Sequence, residues 1–394
     1  MNYLLFDDPQ RVHLLPLAAT RPIADFRIGI LTLREKWNLA LGSICSILTE
    51  SYLQSKYPAH WGKENLLING RLFPSPELLE LIETLEPEQK LVQGDTILAV
   101  RTSQQNIESF ETLQELKLSV VETAIALPQI KNLWDIFQMN GTWIEFDFIN
   151  LTKNRKSAPI PPSIQTINPE NIFIEEGATL HFSTLNASSG PIYIGKNSEV
   201  MEGSLIRGPF ALLDHSATKL GTKIYGPTTI GPHSKVGGEL NNVVVFGYSN
   251  KAHDGFLGNA VLGEWCNIGA DSNNSNLKNN YADVKIWSYA TENLISSGLQ
   301  FCGLIMGDHS KCAINTMFNT GTVVGVNANI FGAGFPPTFV PDFSWGGADG
   351  FKNYTLRVAL HVAKLVMQRR AIELSKADIE ILTHIYENTQ HLRS

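Results

Sequence analysis

Residues 194–236 read IGKNSEVMEGSLIRGPFALLDHSATKLGTKIYGPTTIGPHSKV. Counting by sixes gives Ile194, Val200, Ile206, Leu212, Thr218, Ile224, Ile230 and Val236, of which seven are aliphatic. A period of six fits neither an α-helix nor a lone amphipathic strand. It fits a solenoid of short strands, each sending one aliphatic side chain inward and each ending at a corner that needs a small or left-handed-tolerant residue. Gly, Asn and Ser crowd those corners, as in IGKNSE, IGPHSK and VGVNAN. The pattern predicts a left-handed parallel β-helix of the hexapeptide-repeat kind, whose crossovers are short strands and not packed helices.

The phase slips by two after Val236, and Phe256, Leu262 and Ile268 restart the count. A third run is Met306, Cys312, Phe318, Val324 and Ile330. Between these runs lies DSNNSNLKNNYADVKIWSYATENLISSGLQ (271–300), polar and out of register. We read it as a loop or extra coil projecting from the prism.

The ends of the chain differ from its middle. FRIGILTLREKWNLAL (26–41) and PELLELIETL (76–85) have helical spacing, whereas NLLIN and DTILAV read as buried strands, so an α/β layer domain is expected over residues 1–150. The proline-bearing stretch 151–168 reads as a linker, 169–345 as the β-helix, and 346–394 as a C-terminal helical segment lying across the prism or a neighbouring subunit.

Composition narrows the function. With 43% hydrophobic and 18% charged residues the composition is that of an ordinary soluble protein, and a net charge of −7 argues against a nucleic-acid or anionic-membrane binder. Four scattered cysteines without a CxxC pair exclude a structural zinc motif, and no metal site is expected. Their sparse use, the lack of a basic, apolar leader at the N-terminus and the lack of a long apolar run together predict a cytoplasmic protein.

One stretch carries chemistry. RGPFALL (207–213) followed by GELNNVVVFGYSNKAHDGFLGNAVLGEWCNIGAD (238–271) resembles the acetyltransferase half of the GlmU-type bifunctional sugar nucleotidyltransferase/acetyltransferases. Over its whole length the chain looks like the Bacteroidetes-like variant of that family, a divergent nucleotidyltransferase-like domain joined to a hexapeptide β-helix. The resemblance implies acetyl-CoA as acyl donor and an amino-sugar phosphate, such as glucosamine 1-phosphate, or a nucleotide sugar as acceptor. It further implies His253 as the general base, a task suited to an imidazole with an ordinary pKa of about 6.5. Asp254 would orient the ring. Asn267 matches a residue near the acetyl group, and Ala270 one whose backbone N–H faces the thioester oxygen. Phe256 stands where the family has tyrosine, and Asn241 where it has a phosphate-binding lysine. Lys251, Lys278 and Lys285 are candidates to compensate. Related acyltransferases form their sites between subunits of a C3 trimer, so a homotrimer is expected.

The resemblance is weaker at the N-terminus. RVHLLPLAATRPIADFRIG (11–29) is similar to the segment that follows the phosphate loop of nucleotidyltransferases, but FDDPQR occupies the loop and no Gly precedes Gly29. In LLINGRLF, Arg71 takes the place of the aspartate that holds magnesium. Arg11, Arg21 and Arg71 are candidate nucleotide or phosphate ligands. Magnesium is implied only if nucleotidyl transfer is active. Two alternatives therefore stand beside acetyl transfer. One is a sugar-1-phosphate nucleotidyltransferase, of the UDP-N-acetylglucosamine pyrophosphorylase or glucose-1-phosphate thymidylyltransferase type. The other is a non-catalytic sugar-nucleotide-binding protein.

Overall fold

The computed structural model describes residues 1–393. Its first layer is a six-stranded mixed sheet formed by β1 (Asn2–Phe6), β2 (Ser46–Leu48), β3 (Asn65–Asn69), β4 (Gln89–Gln93), β5 (Thr96–Thr102) and β6 (Ser119–Glu122), in the order β2-β1-β3-β5-β4-β6. Helices α1 (Leu33–Leu41), α2 (Pro76–Glu83), α3 (Phe110–Gln114) and α4 (Asp135–Thr152) accompany it. The helical spacing read over 26–41 becomes helix only from Leu33. There the Thr32 hydroxyl and the Glu35 carboxylate cap each other's backbone N–H groups. Residues 26–31 are instead held by α4. Asn140 accepts from the Gly29 N–H at 2.7 Å, and Asp147 accepts from Ile30 and Leu31 at 2.8 and 2.9 Å. Gly29, at φ +83°, is required here, because a Cβ would lie 2.5 Å from the Trp143 carbonyl oxygen.

A left-handed parallel β-solenoid of about 10 turns follows, with helices α5 (Leu356–Gln368) and α6 (Lys376–Asn388) after it. The first solenoid strand is Gln165–Ile167, and the segment that joins it to α4 is tied down by Arg155–Glu175 and by the Ala158 N–H on the Ile174 carbonyl at 2.8 Å. The period-six residues from Ile194 to Val236 are all buried. Each inward aliphatic contributes roughly 1.5–3 kcal/mol. Thr218, the polar member of that row, reaches the Ser204 hydroxyl at 3.1 Å.

The phase slip has a local cause. Strand Lys235–Val236 turns through Gly237 and Gly238 straight into strand Glu239–Gly247, so Leu240 is the next inward residue after Val236. Ile230 therefore pairs with Val245, fifteen positions on, where Leu212 pairs with Ile230 at eighteen.

Residues 271–300 do not project from the prism. Asn273–Asn274 still pair with Met317–Phe318, and 285–288 and 293–296 form an antiparallel hairpin. That hairpin buries Val284 and Ile286 in a core shared with Leu14, Leu17 and Phe26 of the first layer, while Trp287 stacks on Phe339 at 4.1 Å. Alternating Val284, Ile286 and Ser288 was the strand signal within a stretch dominated by asparagine. The C-terminal helices close over the other side, burying Ile381, Leu382 and Ile385 with Ala19, Leu53, Val326 and Phe343. No helix among the described residues is long and apolar enough to cross a membrane.

Candidate functional site

His253 sits on a corner of the prism. Strand Asn250–Lys251 belongs to the ten-stranded face, and strand Phe256–Glu264 begins the next face. Four residues make the turn between them. Lys251 pairs with Val236 of the coil below, so its side chain enters the inward aliphatic row, and it is only 2% exposed. Its ammonium donates to the carbonyls of Gly237 at 3.0 Å, His253 at 2.6 Å and Asp254 at 3.1 Å. Burial pushes its pKa down to about 8, against the opposing pull of Asp254 and Asp271. Lys251 is thus turned away from any substrate and fixes the backbone that carries His253. Gly255 completes the corner at φ +107°, where a Cβ would stand 2.1 Å from the Ser272 carbonyl oxygen.

The His253 and Asp254 side chains are exposed, and no side-chain hydrogen bond joins them among the described residues. One coil above, the Ala270 carbonyl accepts from the Asn315 N–H at 2.8 Å. The Ala270 N–H donates to no group among the described residues.

Two hollows flank the imidazole. A groove of about 370 Å³ runs past Leu220, Gly237, His253, Asp254 and Ala270. On the other side lies a cleft of about 520 Å³, which His253 and Asn267 share with Lys235, Lys311, Arg369 and Arg370. Its floor is the ten-stranded face and its roof is the C-terminal end of α5. Arg370 ties roof to floor by donating to the Asn250 side-chain oxygen at 3.3 Å.

Tyr248 and Trp265 also line the cleft, and both belong to a longer ladder of rings. His215, His233, Tyr248, Trp265 and His309 occupy equivalent corner positions, each with φ between +53° and +63°. Successive centroids lie 4.9, 4.9, 4.4 and 6.2 Å apart. Strain from the left-handed backbone is offset by stacking between coils.

The structure therefore brings His253, Asp254 and Ala270 to one groove, and His253 and Asn267 to one cleft. It does not bring the others there. Asn241 lies on strand Glu239–Gly247 opposite Gly258 and lines neither hollow. Phe256 folds its ring over Gly258 while its N–H donates to Asn273 at 2.7 Å. Lys285 is in the hairpin, and Lys278 donates to the Asp283 carbonyl at 2.7 Å. Lys235, Tyr248, Trp265, Lys311, Arg369 and Arg370 went unread in the sequence. The recurrence of His or aromatic residues at 215, 233, 248 and 265, close to one coil apart, was the available signal for the wall.

The N-terminal candidates are arranged very differently. Arg71 embraces Asp8 with two hydrogen bonds of 2.9 and 2.6 Å, and Asn69 donates to the same carboxylate at 2.9 Å. The remaining Arg71 nitrogen reaches Gln129 and the Ile130 carbonyl. Arg11 faces Asp7 at 3.3 Å and donates to the Tyr52 hydroxyl at 2.9 Å. Asp7 also accepts from the Ile23 N–H at 3.0 Å and from Thr49 at 2.6 Å. Arg21 pairs with Asp308 and Glu264 of the solenoid, so it joins the two halves of the molecule. All three arginines are buried, with their charges matched inside the protein. The segment after the loop is plastered on the prism, where Leu14, Leu17 and Phe26 pack with Val244, Phe246 and Ile305. Nearby, burial raises Asp25 to about 6 despite the Arg34 guanidinium beside it.

Comparison with known proteins gives a family match for the N-terminal part of the chain. Residues 3–156 match the family model described as sugar nucleotidyl transferase. The match ends within the segment that joins α4 to the solenoid. Among solved structures, UDP-N-acetylglucosamine acyltransferase from Campylobacter jejuni is 12% identical, covering 58% of this chain and 96% of its own with a TM-score of 0.29. The Arabidopsis UDP-N-acetylglucosamine acyltransferase is 15% identical, covering 54% and 80% with a TM-score of 0.21. The polySia-specific acetyltransferase NeuO is 12% identical, covering 51% and 97% with a TM-score of 0.27. The activities these names state are those proteins' own. No curated protein matches the chain.

Proposed function

We propose that the chain is an acetyl-CoA-dependent transferase that N-acetylates an amino-sugar phosphate of the glucosamine 1-phosphate kind, or a nucleotide sugar, with His253 as general base. The observation that carries this reading is an exposed imidazole on a corner whose backbone is pinned by a buried ammonium, between a groove and a cleft. A rigid mount keeps the base within reach of the attacking amine. As that amine adds to the thioester carbonyl, Nε2 or Nδ1 of His253 takes its proton. The tetrahedral oxyanion would be met by the free Ala270 N–H, and the imidazolium returns the proton to the departing thiolate. No side-chain hydrogen bond joins Asp254 to the ring among the described residues, so its proposed part is to add negative charge beside the imidazolium.

The acceptor pocket is proposed to close between subunits. Along the edge that bears His253, Phe182, Leu220 and Ile314 are 71%, 68% and 66% exposed, an apolar row suited to a second copy of the chain. Light scattering at micromolar concentration should give a trimeric mass.

The match over 3–156 favours nucleotidyl transfer as a second reading. Against it stands Arg71, bonded to Asp8 at the strand end where a metal carboxylate would be needed. The Asp8 carboxylate at that strand end is taken up by Arg71 and Asn69, which makes it a poor ligand for magnesium.

His253→Ala separates these readings from a purely binding role. Acetyl-CoA consumption with glucosamine 1-phosphate should fall about 10²–10⁴-fold with little change in melting temperature. Asp254→Asn should cost less than about tenfold. Unchanged turnover in His253→Ala would reject the general base, and magnesium-dependent pyrophosphate release from UTP would restore the second reading.

A further inference from the structure

The cleft beside His253 contains more positive charge than the fold requires. Lys235, Lys311, Arg369 and Arg370 line it, and no carboxylate does. None of the four forms an ion pair among the described residues, in a chain whose net charge is −7. The C-terminal end of α5 offers about half a negative charge, which a single arginine would offset. Four cations exceed that by a wide margin.

Lys235 and Arg369 are exposed, but for Lys311 and Arg370 partial burial raises the cost of leaving them unmatched. Burial pushes the Lys311 ammonium down to about 8, and its one hydrogen bond is to the His309 carbonyl at 2.6 Å. Arg370 is drawn below the usual arginine range by burial and then by neighbouring Arg369. Like charges held together in a partly desolvated hollow are what an anion site looks like before its ligand arrives.

The size of the cleft, about 520 Å³, suits a small molecule and not a macromolecule. The rings in its wall do not suit base stacking. Tyr248 already has His233 on one face and Trp265 on the other, at 4.9 and 4.4 Å, so only its edge is free. Recognition therefore falls to the cations, which favour phosphate oxygens over an aromatic or neutral group.

We propose that this cleft binds the phosphate groups of a ligand carrying at least two of them, in reach of His253. The cations would hold the phosphates between the ten-stranded face and α5, with Asn250 and Asn267 as neutral partners. This binding requires only the charge of the cleft and not proton transfer at His253. Two kinds of small molecule carry the chemistry. One is the 3′,5′-bisphosphate end of a coenzyme A thioester, and the other is the diphosphate of a nucleotide sugar.

Isothermal titration of the full chain with inorganic pyrophosphate, 3′,5′-ADP and UDP at low salt tests the site. At least one probe should bind with Kd below about 1 mM, and affinity should fall as salt is added. Arg369→Ala and Lys235→Ala should each weaken it about tenfold with unchanged melting temperature. The titrations contain no amine acceptor and no thioester, so phosphate binding is read without acetyl transfer and the failure of either remains a distinct result. Preference for 3′,5′-ADP identifies the acyl donor, and preference for UDP a nucleotide sugar; either supports the site. Absence of binding by all three probes overturns it, as does equal affinity in the folded Arg369→Ala and Lys235→Ala variants.

Discussion

Arginines crowd two regions of this molecule, and their partners separate them. At the end of the N-terminal sheet, Arg11, Arg21 and Arg71 are each matched by a buried carboxylate. In the cleft over the solenoid, Arg369, Arg370, Lys235 and Lys311 have none. Buried charges must be satisfied, so a guanidinium with an internal partner is spent on the fold. One left facing a cleft is available to something from outside. Sequence alone put the N-terminal arginines forward as phosphate ligands, and their pairing reverses that order.

The comparison can be broken by substituting one cation from each region. Arg71→Ala leaves Asp8 buried without a counter-charge and should destabilise the protein by about 3–5 kcal/mol, read as a lowered denaturation midpoint. Arg369→Ala should stay within about 0.5 kcal/mol of wild type. Equal effects would mean that the two regions are not different in kind.

A smaller loss is expected at the corner. Lys251→Met keeps the length of the side chain but orphans the Gly237, His253 and Asp254 carbonyls. It should cost about 1–3 kcal/mol in stability. As a positioning residue it should also lower kcat more than it raises KM, which a merely structural lysine would not do.

The smallest effect is a slope. Burial, then Lys311 and Lys56, push the His309 imidazole down to about 3, against the opposing Asp378 and Glu264. In the unfolded chain it would titrate near 6.5. Above that pH it is neutral in both states and its contribution to stability is fully present. As pH falls from about 6.5 towards 3, the unfolded state takes up the proton first and stability drains away. His309→Phe should therefore show a shallower fall in melting temperature over that range. An identical slope would place the titration elsewhere.

What the sequence revealed follows physical range. The period of six exposes the solenoid because each coil repeats the same short-range demand, and Met306, Cys312, Phe318, Val324 and Ile330 all point inward as counted. His253 and Asp254 share their groove with Ala270 because neighbouring coils keep register. The slip at Gly237–Gly238 was visible as a change of phase. Pairings across the fold were not. Arg71 meets Asp8 sixty-three positions away, and Arg370 meets Asn250 one hundred and twenty away. No local pattern announces either contact. Lys251 misled for another reason: a lysine among small polar residues reads as solvated, and only the coil register shows it facing inward.

The most direct test of the contrast is amide hydrogen exchange on the intact protein, with and without acetyl-CoA, and separately with UTP and magnesium. The unpaired cleft predicts that acetyl-CoA slows exchange in 250–270 and 366–370 and leaves 7–25 and 69–71 unchanged. UTP with magnesium should protect neither 7–25 nor 69–71. Protection of those N-terminal segments by UTP, with the solenoid corner unaffected by acetyl-CoA, would contradict the account.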